Sequence, residues 1–198
     1  PTVDYPGYDP RLEIELRTTA DAARSLAYHL DGPTGRPLEG WWYLTKLHPW
    51  MFYSAGARDV VWQALDREQR LMGSRAIYDS ALGAKKEKKT YEGESLLTTG
   101  NKPEAMNYVG VETQFFAAMM LPQPVGDQRI AFRKVFAEPV HDVSLLKSEY
   151  SRTANNSVVL VNDPVKVAAG GVLRHQYEVF LGPKDEDVLA AYQLGSLI

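Results

Sequence analysis

Cysteine is absent from all 198 residues. That removes disulfides, thiolate nucleophiles and thiolate metal sites together, while remaining compatible with either a reducing cytosol or an oxidising periplasm. Histidine is scarce. His29, His48, His141 and His175 are scattered, with no spacing suited to a metal pair, and each reads as a surface or satisfied core residue. No apolar run approaches the roughly 18 residues that span a bilayer, so the stretch itself is expected to be soluble, whatever its parent. Charge of one sign is lacking too: 22 Lys and Arg stand against 25 Asp and Glu, a net charge of -3. This excludes a nucleic-acid binder that works by broad electrostatics. There is no Gly-x-Ser-x-Gly elbow and no P-loop. The pairs Glu13/Glu15 and Asp185/Asp187 explain themselves as a solvated strand face and a helix start. The expectation is a protein without catalytic set, cofactor or metal.

What is present describes an ordinary globular domain. Hydrophobic residues make up 44% and charged residues 24%, enough for a single real core. Arg11 to Arg17 alternates cleanly, with Leu12, Ile14 and Leu16 on one face and charges on the other, as in a half-exposed antiparallel strand. Ser25 to Leu30 repeats the pattern less sharply. Asp31 to Pro37 holds two Gly and two Pro and reads as the strongest turn. Aromatic residues then cluster at Trp41, Trp42, Tyr43, Trp50, Phe52 and Tyr53. They suit a β-sandwich core, with an apolar groove as the sharper alternative.

Asp59 to Leu65 fits strand or helix, and pattern does not arbitrate. Lys85 to Lys89 reads as a solvated loop, with an acidic partner as the alternative. Tyr108 to Pro122 is the densest apolar stretch. Propensity would allow a helix ended by Pro122, yet the β-rich surroundings favour two short strands meeting around Phe115 and Phe116. Gln128 to Phe136, Val158 to Val161 and Val165 to Val167 complete a series of short strands between turn residues. That series describes an all-β sandwich, since an α/β fold needs long helices between strands.

The end of the chain is its most ordered-looking part. Leu173, Tyr177, Val179 and Leu181 share one face of a strand, and Arg174, Gln176 and Glu178 the other. The strand is expected to break at Gly182-Pro183 and pass into a helix from Lys184 to Leu194, with Pro183 in its first turn. Asp185, Glu186 and Asp187 sit where a helix dipole is positive. Val188, Leu189 and Tyr192 form an apolar stripe, and Gly195 is the stop. A strand-to-helix exit with no polar tail reads as a chain cut from something longer.

Two of these segments together resemble the large periplasmic domain of the YidC membrane protein insertase family. One is Val109 to Pro122, similar to the family's Gly-led apolar strand that meets an aromatic pair, usually Tyr-Phe, and ends at Pro; Phe115 stands where Tyr is usual. The other is Tyr177 to Tyr192, similar to the family's final strand, its Gly-Pro-Lys or Gly-Pro-Glu corner and the helix after it. Gly32 to Gly35 followed by Glu39 to Tyr43 also resembles a turn and strand of some branches. The likeness spans about Leu12 to Leu197, with Val60 to Thr90 matched only by position.

The resemblance implies an antiparallel β-supersandwich similar to galactose mutarotase, with residues 1–182 as the sandwich and residues 183–198 as a C-terminal helix leading to the next transmembrane segment. The sandwich is expected to begin partway through, or to come from a branch with a shorter N-terminal portion. It implies a place on the periplasmic side of the bacterial inner membrane, tethered there by the full-length protein. It also implies non-catalytic contacts with the Sec translocon or nascent membrane proteins. Gly182, Pro183, Lys184, Val188, Leu189 and Tyr192 are the candidates for coupling to partner or membrane. Trp41, Trp42, Trp50, Phe115 and Phe116 are the candidates for an apolar groove. The alternative is a carbohydrate-binding or mutarotase-like enzyme, for which His29, His48 and His175 are available as acid or base.

Overall fold

A computed structural model describes residues 10–34, 58–97 and 102–197. The alternation of Arg11 to Arg17 forms strand β1, Arg11–Arg17. It lies antiparallel to the last strand, β12, Val172–Pro183, in a register running from Arg11 opposite Glu178 to Arg17 opposite Val172. On its other edge β12 pairs with β8, Phe116–Gln123, from Gln176 opposite Gln123 to Pro183 opposite Phe116. Strand β7, Glu104–Glu112, joins β8 through a tight hairpin in which the Thr113 amide donates to the Phe116 carbonyl at 2.8 Å. Beyond β7 lie β4, Asp59–Ala64, and β5, Arg70–Met72.

The first two residues of β7 instead pair with β9, Ala131–Pro139. Strand β7 thus belongs to both halves of one curled, ten-stranded sheet. The second half adds β6 (Glu94–Ser95), β10 (Asn156–Asn162) and β3 (His29–Asp31) around β9. A separate ribbon pairs β2, Arg24–Leu26, with β11, Val165–Val167. The fold is an all-β sandwich with a short C-terminal helix, α2, Glu186–Ala191.

Two cores follow from the two faces of the first half-sheet. Val60, Trp62, Val109, Val111, Met120 and Tyr177 turn inward against Phe132, Val135, Val158 and Leu160 of the second half. The opposite face, with Val61, Tyr108, Met119 and Phe180, is covered by the C-terminal segment through Val188, Leu189, Leu194 and Leu197. Sheet packing is closest at Gly110. A Cβ there would be driven into the Ala118 carbonyl oxygen and would lie 2.8 Å from Met119 Cα. Both obstacles are backbone, so no rotamer change relieves them.

Several elements depart from expectation. Ser25 to Leu30 is not one strand: β2 and β3 serve different partners, and the Tyr28 amide between them donates to Asn162 Oδ1 at 2.6 Å. Asp59 to Ala64 is strand, because both edges find partners. A thirteen-residue helix, α1, Ser74–Lys86, stands where only position had been matched. Its buried side chains are Ser74, Ile77, Tyr78 and Ala81, and Tyr78 and Ala81 join a small third core with Val143 and Ala154. Gly73 at its start offers no side-chain cap; the Asp59 carboxylate, fifteen residues earlier, accepts from the Ser74 amide at 2.7 Å instead.

The lysine run straddles the end of that helix: Lys85 and Lys86 are its last residues, Glu87 to Lys89 lie beyond it, and all five are exposed. Lys85 Nζ donates to both carboxylate oxygens of Asp142 at 2.7 and 2.5 Å and to Ser144 Oγ at 2.7 Å. The last strand does not break at Gly182: Gly182 pairs with Ala117 and Pro183 with Phe116. Pro183 therefore ends a strand, and Asp185 caps α2 by accepting from the Val188 amide at 3.2 Å. Nor does Gly195 stop the helix, which closes at Tyr192; Gly195 opens a single 3-10 turn, Gly195–Leu197.

Two outcomes test this packing. Gly110→Ala should cost about 3 kcal/mol or more in urea denaturation, at or above the usual range for overpacking, since strand β8 must retreat; a loss within the scatter of surface variants would refute the close approach. The Lys85 ammonium, with the Ser144 amide and hydroxyl, holds the Asp142 carboxyl at about 2, below its ordinary 3.8. Its contribution is therefore present above pH 3.8 and is lost as pH falls through about 2. Asp142→Asn should lower the melting temperature at pH 6 and flatten its decline between pH 4 and pH 2, as followed by circular dichroism.

Candidate functional site

The chain leaves the sheet at the β7–β8 hairpin. Pro183 sits opposite Phe116, and the Lys184 amide donates to the Phe115 carbonyl at 2.7 Å. Three apolar side chains are exposed here: Phe115 at 54%, Phe116 at 38% and Leu181 at 45%. Leu181 lies opposite Ala118, which places it diagonally beside Phe116 on one face of the sheet. Phe115 and Phe116 thus stand at an exposed hairpin end.

Charge is buried directly behind them. Lys184 Nζ stands 2.9 Å from Glu112 Oε2, with side chains only 17% and 10% exposed. Asp59 faces Glu112 across the β4–β7 ladder. Burial raises the pKa of both carboxyls; Lys184 pulls Glu112 back down, and the Ser74 amide pulls Asp59 back down. The exit strand, the hairpin and the start of α1 are therefore fastened at one point.

Helix α2 turns its stripe onto the sheet. Val188 is 4% exposed and Leu189 fully buried, and the Tyr192 ring stands 5.0 Å from that of Phe180. Val188 and Leu189 thus present no free surface to an outside partner. The exposed residues of α2 are Glu186, Asp187, Ala190 and Ala191. Gly182 is buried in the ladder, Pro183 is half-buried, and Lys184 is ion-paired. Trp41, Trp42 and Trp50, together with His48, Phe52 and Tyr53, lie outside the described residues.

A second constellation was not legible beforehand. The Tyr28 hydroxyl lies 2.7 Å from His175 Nδ1 and 2.5 Å from the Tyr177 hydroxyl. His175 and Tyr177 share one face of β12 at i and i+2, which the sequence shows; Tyr28 arrives from the β2–β3 link, which it does not. Burial lowers the His175 pKa, keeping the ring neutral at pH 7. Burial also raises both tyrosines, Tyr28 to about 12. With neutral groups, one arrangement places both hydroxyl hydrogens: Tyr177 donates to Tyr28, and Tyr28 donates to Nδ1. The ring proton then resides on Nε2. His175 lines a cavity of about 610 Å³ between β12, β11 and the segment before β9. His29 is exposed near Phe136, and His141 is exposed at a bend.

Among the described residues no group of three or more His, Asp or Glu side chains converges as a metal site would, and no helix is long and apolar enough to cross a membrane. No family model matches the chain, and no curated protein matches it.

Removing the cation at the exit gives a signed outcome. Because burial keeps the Glu112 pKa above its ordinary 4.5, the folded state takes up a proton before the unfolded state as pH falls. The carboxylate therefore weighs on stability above its folded pKa and is relieved below it. Lys184→Met strands that charge and should cost about 1–3 kcal/mol at pH 8. The loss should shrink toward pH 5 in urea titrations. Equal losses at both pH values would mean that Lys184 acts through packing alone.

Proposed function

We propose that this chain is a non-catalytic, partner-contacting domain of a membrane protein insertase of the YidC type. In this reading it stands on the periplasmic side of the bacterial inner membrane, tethered by the full-length protein. It aids insertion and folding of inner-membrane proteins by touching the Sec translocon or emerging substrate segments. The support is the order and spacing of the two segments, together with their geometry: Val109 to Pro122 and Tyr177 to Tyr192 are neighbours in the sheet, with Pro122 opposite Tyr177 and Phe116 opposite Pro183.

The observation that carries the reading is the exposed trio Phe115, Phe116 and Leu181 beside the point where the chain leaves the sheet. Such side chains add contact area for a partner and little to the core. The buried Lys184–Glu112 pair beneath them holds that surface at a fixed angle to whatever follows. Helix α2, folded back on the sheet, stiffens the joint and leaves the hairpin end as the contact.

The competing reading, a carbohydrate-binding or mutarotase-like enzyme, has one observation in its favour, the ring of His175 in a cavity wall. Mutarotation needs an acid and a base acting together on the sugar ring; a mutarotation assay with clear turnover would bring this reading forward.

The test uses the full-length parent protein in cells. A photo-crosslinking residue at Phe115 should give adducts with a translocon component or a nascent membrane protein. The same residue at Leu145, which is 83% exposed but in a different turn, should not. With the crosslinker kept at position 115, Phe116→Ser with Leu181→Ser should weaken those adducts while leaving the domain folded. Equal labelling from both positions, or none, defeats the proposal.

A further inference from the structure

The cavity beside His175 has a mixed wall. Ile130, Val167 and Leu173 give it an apolar floor. Its charged groups are Arg129, Lys166, Arg174 and Asp163. Arg174 is already engaged, its Nε 2.9 Å from Glu15 Oε2 and 4.0 Å from Glu13 Oε1. Arg129 and Lys166 have no hydrogen-bond or ion-pair partner among the described residues. Two cations without such partners therefore line the cavity together with one carboxylate.

His175 supplies the directional element. Its Nδ1 is held by Tyr28, and Tyr28 by Tyr177. Its Nε2 has no partner among the described residues, yet it is not among the sealed polar atoms that lack one. The residue as a whole is only 9% exposed. This is an imidazole fixed in direction by a partly buried relay and set in the cavity wall, which is how a ligand group is oriented rather than merely attracted. A volume near 610 Å³ lies within the range that small-molecule sites occupy.

We propose that this cavity binds a small amphipathic anion, with its apolar body on the Ile130–Val167–Leu173 floor and its carboxylate or phosphate accepting from His175 Nε2 and paired with Arg129 and Lys166. A neutral ligand of the same shape leaves the two cations without a partner. An anion without an apolar body leaves the floor wet. The site does not depend on the insertase reading, and the two stand or fall separately.

The test is calorimetric titration of the 198-residue chain with three probes sharing one tail: octanoate, octyl phosphate and octyl glucoside. Both anions should bind saturably and at least about tenfold tighter than the neutral glucoside. The tighter of the two names the headgroup. Arg129→Ala with Lys166→Ala, both at exposed positions, should weaken the anions at least about tenfold. Arg133→Ala with Lys134→Ala, on a different cavity, should not. Nitrogen-15 NMR should show the His175 Nε2 signal moving on addition of the anion, a readout that survives even if His175→Gln fails to fold. Absence of saturable anion binding overturns the proposal. So does equal affinity for octyl glucoside, or binding indifferent to the Arg129/Lys166 change.

Discussion

Strand β12 is hydrogen-bonded to a neighbour on each edge and sends Tyr177 and Phe180 into cores on its two faces, and the other parts of the molecule take their positions from it. Its register with β1 and β8 fixes which residues point where. Shifting either ladder by one residue would exchange Tyr177, in the core between the half-sheets, with side chains meant for the opposite face. The same strand carries Phe180 toward the core under α2. A single segment thus specifies two hydrophobic interiors, and neither closes without it. This explains how twelve residues hold both the exit joint at one end and the His175 relay nearer the other.

The Lys184–Glu112 pair illustrates how polarity is tolerated inside such a structure. An ion pair with both partners mostly buried gains little net stability over an apolar pair, because each charge has lost its water. Its effect is on alternatives. Any arrangement that separates Lys184 from Glu112 leaves a charge stranded, so the hairpin and the exit have one low-energy relation to each other. Asp59 contributes in the same way, capping α1 from a neighbouring strand.

Much of the sheet was legible in the sequence because period-two alternation is enforced wherever one face is wet. Arg11 to Arg17 matches strand β1 residue for residue, and the turn between β7 and β8, expected around Phe115–Phe116, lies slightly earlier, at Thr113 to Phe115. Legibility failed where information is non-local. Helix α1 has no acid in its first turn and no capping side chain of its own, since Asp59 does that work from a distance. Pro183 looked like a helix start because proline suits one. It also suits the end of a strand, and only the pairing with Phe116 decides between them. At the exit joint, Gly182 to Tyr192 and the Phe115–Phe116 pair are each visible as contiguous stretches, but the ion pair of Lys184 with Glu112, 72 residues away, is not. The His175 relay needs Tyr28, 147 residues away, to be recognised at all.

The alternating charges of β1 carry one more consequence. Among the described residues β1 pairs on one side only, with β12, so its outer row of amides and carbonyls is a template that a stray strand could copy. Leu12 and Ile14 alone would make that edge adhesive. Arg11, Glu13, Glu15 and Arg17 line it with charges of both signs, and Arg174 draws Glu13 and Glu15 into ion pairs. A strand that added itself here would have to strip water from these groups without offering them better partners. The surface that looks like routine solubilising polarity therefore works as a guard against runaway sheet growth.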